Sequence, residues 1–314
     1  MVKLTNKLIG KIKRNLPLFP KLKDLCNEII EFCNETNNLS MKTKIQTRLA
    51  EINYLNGDNL TAIDLVSKTL IDLKKYEDNM GLIILQLLES KIHYASKGLS
   101  RAKASLTSVK TLCTKVYIEP KLQAKVDMHA GIIAAYEKDY NLAYSYFYES
   151  FDVFNIPNIK NTAKAMKAIQ YMILCKIMNG SLDDINNIIL GKKGQKYYGP
   201  NIKAFESIIE SVKLKSVKLL KENFLKNEDY FIHDDFIIHH LENLKNDLIE
   251  KNLIKIIQPY SVVQIDFITN SIGLPLSEIT MKISQMILDK KINGILDQGR
   301  GCLIIYDDVV HNVK

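Results

Sequence analysis

Residues 282–308, KISQMILDKKINGILDQGRGCLIIYDD, decide how this chain ends. The opening KISQMIL closes an amphipathic helix whose apolar side chains, Ile279, Ile283, Met286 and Ile287, recur at helical spacing. INGILD and CLIIYD read as two strands joined through QGRG, where the glycines permit a tight turn. Upstream, Val262 and Val263 form a short strand. Ile265, Ile268, Thr269 and Ile272 make a helical stripe that ends at Gly273 and Pro275. Ser277 is placed to cap the helix that follows. Strand, helix, helix and a two-stranded hairpin, in that order, are a winged helix.

Such a module often lays its second helix in the major groove of DNA, and charge is the first test of that use. From Lys255 to the end, six Lys and Arg meet six Asp and Glu, so the segment is neutral. The expected outer face of the second helix carries Glu278, Lys282, Gln285 and Asp289. A DNA reader gains most of its non-specific affinity by neutralising phosphates with clustered Lys and Arg. That contribution is missing, and the winged helix is expected to pack against protein.

Working outward toward the N-terminus, four stretches resemble one another: YLNGDNLTAIDL, YASKGLSRAKASL, YEKDYNLAYSYF and IMNGSLDDINNI. They place Ala62, Ala102, Ala143 and Asp184 in register at a period near 40. Twelve residues before the three alanines stand Ala50, Ser90 and Gly131, and Tyr54, Tyr94 and Tyr136 follow those. Two antiparallel helices approach closely only where side chains are small, so a helical hairpin needs a small residue on each partner. The spacing of twelve is the tetratricopeptide pattern, lengthened by extra helical turns per unit. No hairpin buries its apolar face alone, and the units are expected to stack as a solenoid. Tyr140, Tyr144, Phe147, Tyr148, Phe151 and Phe154 form one stripe, expected to pack between repeats rather than to line a peptide groove.

The chain has 314 residues, 46% of them apolar, enough for a large core in more than one unit. Its net charge of +8 is concentrated at one end: residues 1–24 hold seven Lys and Arg against Asp24. MVKLTNKLIGKIKRNL lacks an apolar block of signal-peptide or membrane-span length, and one Arg with no Ser speaks against a mitochondrial presequence. Five cysteines without metal spacing, including Cys26 and Cys33 two turns apart on one face, read as core packing in a reducing compartment. GKKGQKYYGP (191–200) lacks the full phosphate-loop pattern and reads as a loop, followed by helices near 201–227 and 234–257, the latter stopped by Pro259. His239 and His240 point about 100° apart on their helix and do not share a metal ion easily. In HDDFIIHH, His233, Asp234 and His240 match no ligand spacing, and a solvated helix start is expected there. No catalytic residue, cofactor site or metal site emerges.

A helical-repeat array joined to a winged helix resembles the PCI domain. The wording is closer still: NLIKIIQPYSVVQIDFI, LLESKIHYASKGLSRAKASLTS, PKLQAKVDMHAGIIAAYEKDYNLAYSYFYESF and the opening stretch resemble the PCI subunits of the proteasome regulatory lid of the non-ATPase regulatory subunit 11 type, from about residue 22 to about residue 308. The resemblance implies a mainly α fold, a tetratricopeptide-like solenoid followed by a winged helix, in a non-catalytic scaffold found in cytoplasm and nucleus. It implies as partners other lid PCI subunits, a core-particle alpha subunit and an ATPase-ring subunit, with no nucleic acid and no membrane; the alternatives are a PCI scaffold subunit of the signalosome, which shares the architecture, and a winged-helix nucleic-acid-binding protein. The expected organisation is a basic arm (1–20), a solenoid (21–195), a helical segment leading into the PCI module (196–257), the winged helix (258–308) and a tail (309–314). Expected partner contacts are Lys11, Lys13 and Arg14 on the arm, Lys282 and Gln285 on the second helix, and Ile304 and Ile305 on strand 302–306, taken as an open edge.

Overall fold

The computed structural model describes residues 19–306, apart from 158, 160, 192, 193, 233 and 298. Lys11, Lys13, Arg14, His233 and the tail lie outside the described residues. Contacts divide the chain into two compact units that meet between Ala165 and Met166.

The first unit is a stack of helical hairpins: α1 (Phe19–Glu35), α2 (Leu39–Leu55), α3 (Asn59–Lys75), α4 (Asn79–Ala95), α5 (Leu99–Lys115), α6 (Pro120–Tyr136) and α7 (Tyr140–Asn155). Helices of 17 residues alternate with three-residue turns through most of it, which accounts for the period near 40. The turns share one construction. In the turn between α6 and α7, Lys138 adopts φ 65°, its N–H donates to Ala135 O, and the Asp139 N–H reaches back to Ala134 O. Asp139 then opens α7, its carboxylate accepting from the Leu142 N–H at 3.1 Å. One residue thus closes a helix and caps the next. The left-handed position is held by Asn37, Gly57, Glu77 and Lys97 in four successive turns and by Lys138 in the α6–α7 turn, whereas the four-residue turn between α5 and α6 has none. Glycine occupies it once, so the other four carry the steric cost of a Cβ there, roughly 1–2 kcal/mol each.

The small residues meet as the repeat requires. Ala50, Ala62, Ser90, Ala102 and Ala143 are fully buried. The Ser90 hydroxyl donates to Ala102 O, across the α4–α5 crossing, at 2.6 Å. Its proton is therefore spent, and His129 Nε2, 2.9 Å away on α6, is the donor to Ser90 Oγ. Ser150 on α7 repeats the device, donating to Ala124 O at 2.9 Å. At Gly131 the ring of Phe147 occupies the space a Cβ would need. The aromatic stripe of α7 divides: Phe147, Phe151 and Phe154 are core, whereas Tyr148 is exposed.

The second unit holds most of α8 (Thr162–Met178), then α9 (Asp183–Leu190), α10 (Pro200–Lys213), α11 (Val217–Lys226), α12 (Glu228–Phe231) and α13 (Asp235–Ile257). The fourth repeat is degenerate. Helix α9 has eight residues, and Asp184, in the alanine register, is exposed and bonded to Lys176 at 2.7 Å. The single helix expected over 201–227 is two, because Lys215 turns left-handed and Ser216 caps α11. Asp234 caps α13 and also accepts from Tyr171 and Lys167, at 2.8 and 2.7 Å, so that helix start is tied down rather than solvated.

The winged helix follows as β1 (Val262–Gln264), α14 (Ile265–Ile272), α15 (Leu276–Leu288), β2 (Gly294–Asp297) and β3 (Cys302–Ile305). Gly273 supplies the left-handed close of α14 at φ 73°. Pro275, not Ser277, stands at the N-cap of α15, and Ser277 lies inside its first turn.

Candidate protein-docking site

The sheet is antiparallel with order β1-β3-β2. Strand β3 is therefore central, and the reading of 302–306 as an open edge is corrected: both sides of β3 are paired, and the open edges are β1 and β2. The cause lies in β1, whose three residues pair with Cys302–Ile304 from the far side. Directly opposed residues share a face. Val262, Ile304 and Ile295 lie opposite one another across the three strands, forming an apolar row with Val262 and Ile295 exposed at its ends. The opposite face carries Val263 and Leu303, both buried. Ile304 thus belongs to the outward row through its side chain, and Ile305, opposite Gly294, alternates to the other face.

Helix α15 is seated on α13 by charge. Glu250 of α13 accepts from Lys282 at 2.9 Å and from Lys291 at 2.5 Å. Burial pushes the Glu250 carboxyl up, but the bonds from Lys291 and Lys282 and their charges outweigh burial and hold it below the ordinary carboxylate range. Glu278 of α15 reaches the other way, to Lys245 of α13 at 2.7 Å and Lys221 of α11 at 3.3 Å. The Lys245 bond, against burial and with help from the Lys245 charge and from Lys221, lowers the Glu278 carboxyl. Glu278 and Lys282, expected on the outer face, are instead half-buried clasps between helices. Lys282 retains 14% of its side-chain exposure and is committed within the chain.

What α15 exposes is Leu276 at its start and then Ser277, Met281, Gln285 and Leu288. Met281 is 73% exposed and Leu288 82%. Of the two expected contacts on this helix, Gln285 is on the outer face and Lys282 is not. The missed residues, Met281 and Leu288, were findable. With Ile279, Ile283 and Met286 defining the core direction, steps of 100° put both about 180° away and put Glu278, Lys282 and Asp289 on the flank. An apolar outer face without cations cannot neutralise phosphates, and it matches the depleted charge of a protein-interface core.

Elsewhere the ionisable groups are structural. His240 lies against Phe236 with ring centroids 4.5 Å apart, and burial, helped by His239, pushes it down to about 4. Burial pushes the Cys175 thiol up to about 12, far from a reactive thiolate. Among the described residues, no group of three or more His, Cys, Asp or Glu is placed to hold a metal ion. Among them, too, no helix is long and apolar enough to cross a membrane.

The PCI domain family profile matches residues 220–307, a span that begins on α11 and takes in the winged helix. Over most of the chain there are curated relatives. A 26S proteasome non-ATPase regulatory subunit 11 homolog of Arabidopsis thaliana is 39% identical over 285 residues, 90% of this chain and 67% of its own length. The 26S proteasome non-ATPase regulatory subunit 11 of Dictyostelium discoideum is 37% identical over 98% of this chain and 76% of its own. The chain belongs to the 26S proteasome non-ATPase regulatory subunit 11 family. A probable 26S proteasome regulatory subunit of Schizosaccharomyces pombe, 34% identical over 98% of this chain and 72% of its own, falls in the same set. In this member of the subunit 11 family, the PCI match thus covers the α13–α15 clasp and the outward apolar row together.

Proposed function

We propose that this chain is a non-catalytic scaffold of the proteasome regulatory-particle lid. It docks other PCI subunits through its winged helix, braces the lid against a core-particle alpha subunit and the ATPase ring, and thereby supports ubiquitin-dependent degradation in cytoplasm and nucleus. The observation that carries this reading is the outer face of α15. Its charged neighbours are turned inward onto α13 and α11, leaving Met281, Gln285 and Leu288 outward, with the row Val262, Ile304 and Ile295 on the sheet. The open edges of β1 and β2 offer further backbone pairing. Lys11, Lys13 and Arg14 supply a basic arm for an acidic partner surface, and Gln285 and Ile304 are retained as contacts.

The test is reconstitution by co-expression with the other lid PCI subunits. Met281→Asp with Leu288→Asp should exclude the chain from the assembled lid while its circular-dichroism melt stays unchanged. Full incorporation of that variant, or tight duplex-DNA binding by the unaltered protein at moderate salt, would overturn the reading.

A further inference from the structure

Helices α2, α4 and α6 are the first members of three successive hairpins, and their exposed sides line one trough within the first unit. Two cavities of about 300 and 230 Å³ lie along it and share Thr47, Arg48, Met80 and Ile84, so they adjoin as one channel-like groove. Its floor is apolar: Met80 and Ile84 are exposed there, beside Leu87, Leu88 and Leu122. Its walls carry five cations, Lys44, Arg48, Lys91, Lys121 and Lys125, contributed by all three helices. Three carboxylates stand with them. Of these, Asp78 is engaged in capping α4 through the Gly81 N–H, and Glu51 takes a 2.7 Å bond from Arg48.

The cations are gathered at a cost. Burial pushes the Lys125 ammonium below its ordinary value; Lys121 and Arg48 push the same way, and Glu51 and Glu119 only oppose them. A half-buried ammonium beside like charges gains from any anion brought into the channel, because the partner arrives at low dielectric and need not reorganise the site. A channel with an apolar floor and cationic walls selects a ligand with both characters.

We propose that this trough binds an extended acidic peptide segment of a partner protein, apolar side chains down on Met80 and Ile84 and carboxylates against Lys121 and Lys125. Crossing three helices packed about 10 Å apart spans roughly 20 Å, or about six extended residues. An oligonucleotide fits less well, because the floor offers no aromatic platform for bases and Glu51 and Glu119 repel a continuous phosphate chain. This site lies in the first unit and is separate from the winged-helix docking proposed above.

The test uses the full chain and a fluorescein-labelled hexapeptide alternating Glu and Leu, followed by anisotropy. Saturable binding that weakens with salt is expected. Lys121→Glu with Lys125→Glu should weaken it about tenfold or more, with the melt unchanged and lid incorporation retained. Replacing Glu by Gln in the peptide should have a similar effect, and replacing Leu by Ser should also weaken binding, reporting the apolar floor. Equal affinity of the double variant, equal binding of the Gln peptide, or tighter binding of a labelled single-stranded hexanucleotide would overturn the proposal.

Discussion

Replacing Gly131 by alanine sets two effects of opposite sign against each other. In the middle of α6, alanine is favoured over glycine by about 1 kcal/mol, and propensity alone predicts a more stable protein. The structure predicts the reverse. A Cβ at Gly131 would lie 2.6 Å from Phe147 Cε1 and 2.8 Å from Cδ1 and Cζ. Carbon atoms rest about 3.5–4.0 Å apart, so the ring must retreat by about 1 Å. Phe147 is fully buried, and that retreat moves α7 off α6. Overpacking of this kind costs about 1–3 kcal/mol, leaving a net loss near 1 kcal/mol for alanine and about 3 for the branched valine. In a melt followed by circular dichroism, Gly131→Ala should lower Tm by about 2–4 °C. Phe147→Leu in the same chain should be less damaging than the two changes summed, by about 1 kcal/mol, because the smaller side chain makes room. A Tm raised by Gly131→Ala, or strict additivity with Phe147→Leu, would refute the idea that the crossing requires glycine.

At the left-handed turn positions, Lys97→Gly and Lys138→Gly should each stabilise the chain by roughly 1 kcal/mol in urea unfolding, matching the glycine that already stands at position 57. Burial and Lys91 push His129 down to about 3, so the fold disfavours its cation, and stability falls as pH drops from about 6.5 toward 3. Burial, opposed by the Gln123 bond, pushes Asp127 up to about 6, so its destabilising charge is relieved as pH falls from about 6 toward 4. The two slopes cancel in that window. Asp127→Asn should expose the histidine alone as a loss of about 1.4 kcal/mol per pH unit between pH 6 and 4, measured by urea unfolding at each pH. Glu250→Gln leaves Lys282 and Lys291 without their shared carboxylate and should cost about 1–3 kcal/mol, with faster amide exchange in α15. Reversing charge at Lys11, Lys13 and Arg14 should weaken binding to the assembled proteasome core at low salt and have little effect at high salt.

Most of the architecture is legible in the residues. Ala50, Ser90 and Gly131, each twelve before an alanine, announce the crossings, and the glycine and proline pattern after residue 258 announces the wing. Three features are not. Strand order depends on where three residues, Val262–Gln264, find a partner, and nothing local distinguishes pairing with β3 from pairing with β2. The pairing of Glu278 and Lys282 depends on Glu250, Lys245 and Lys221, partners that lie 32–57 residues earlier and come near only through the fold. The basic trough gathers Arg48, Lys91 and Lys125 from helices about 40 residues apart, and a charge run along the chain carries no trace of it.

The scaffold account is tested most directly by tagging the chain, purifying it under native conditions and quantifying what accompanies it by mass spectrometry. Lid subunits, ATPases and core-particle subunits near equimolar amounts are predicted, with Met281→Asp and Leu288→Asp removing them together. Recovery instead with signalosome subunits, with nucleic acid, or with no stable partner would contradict it.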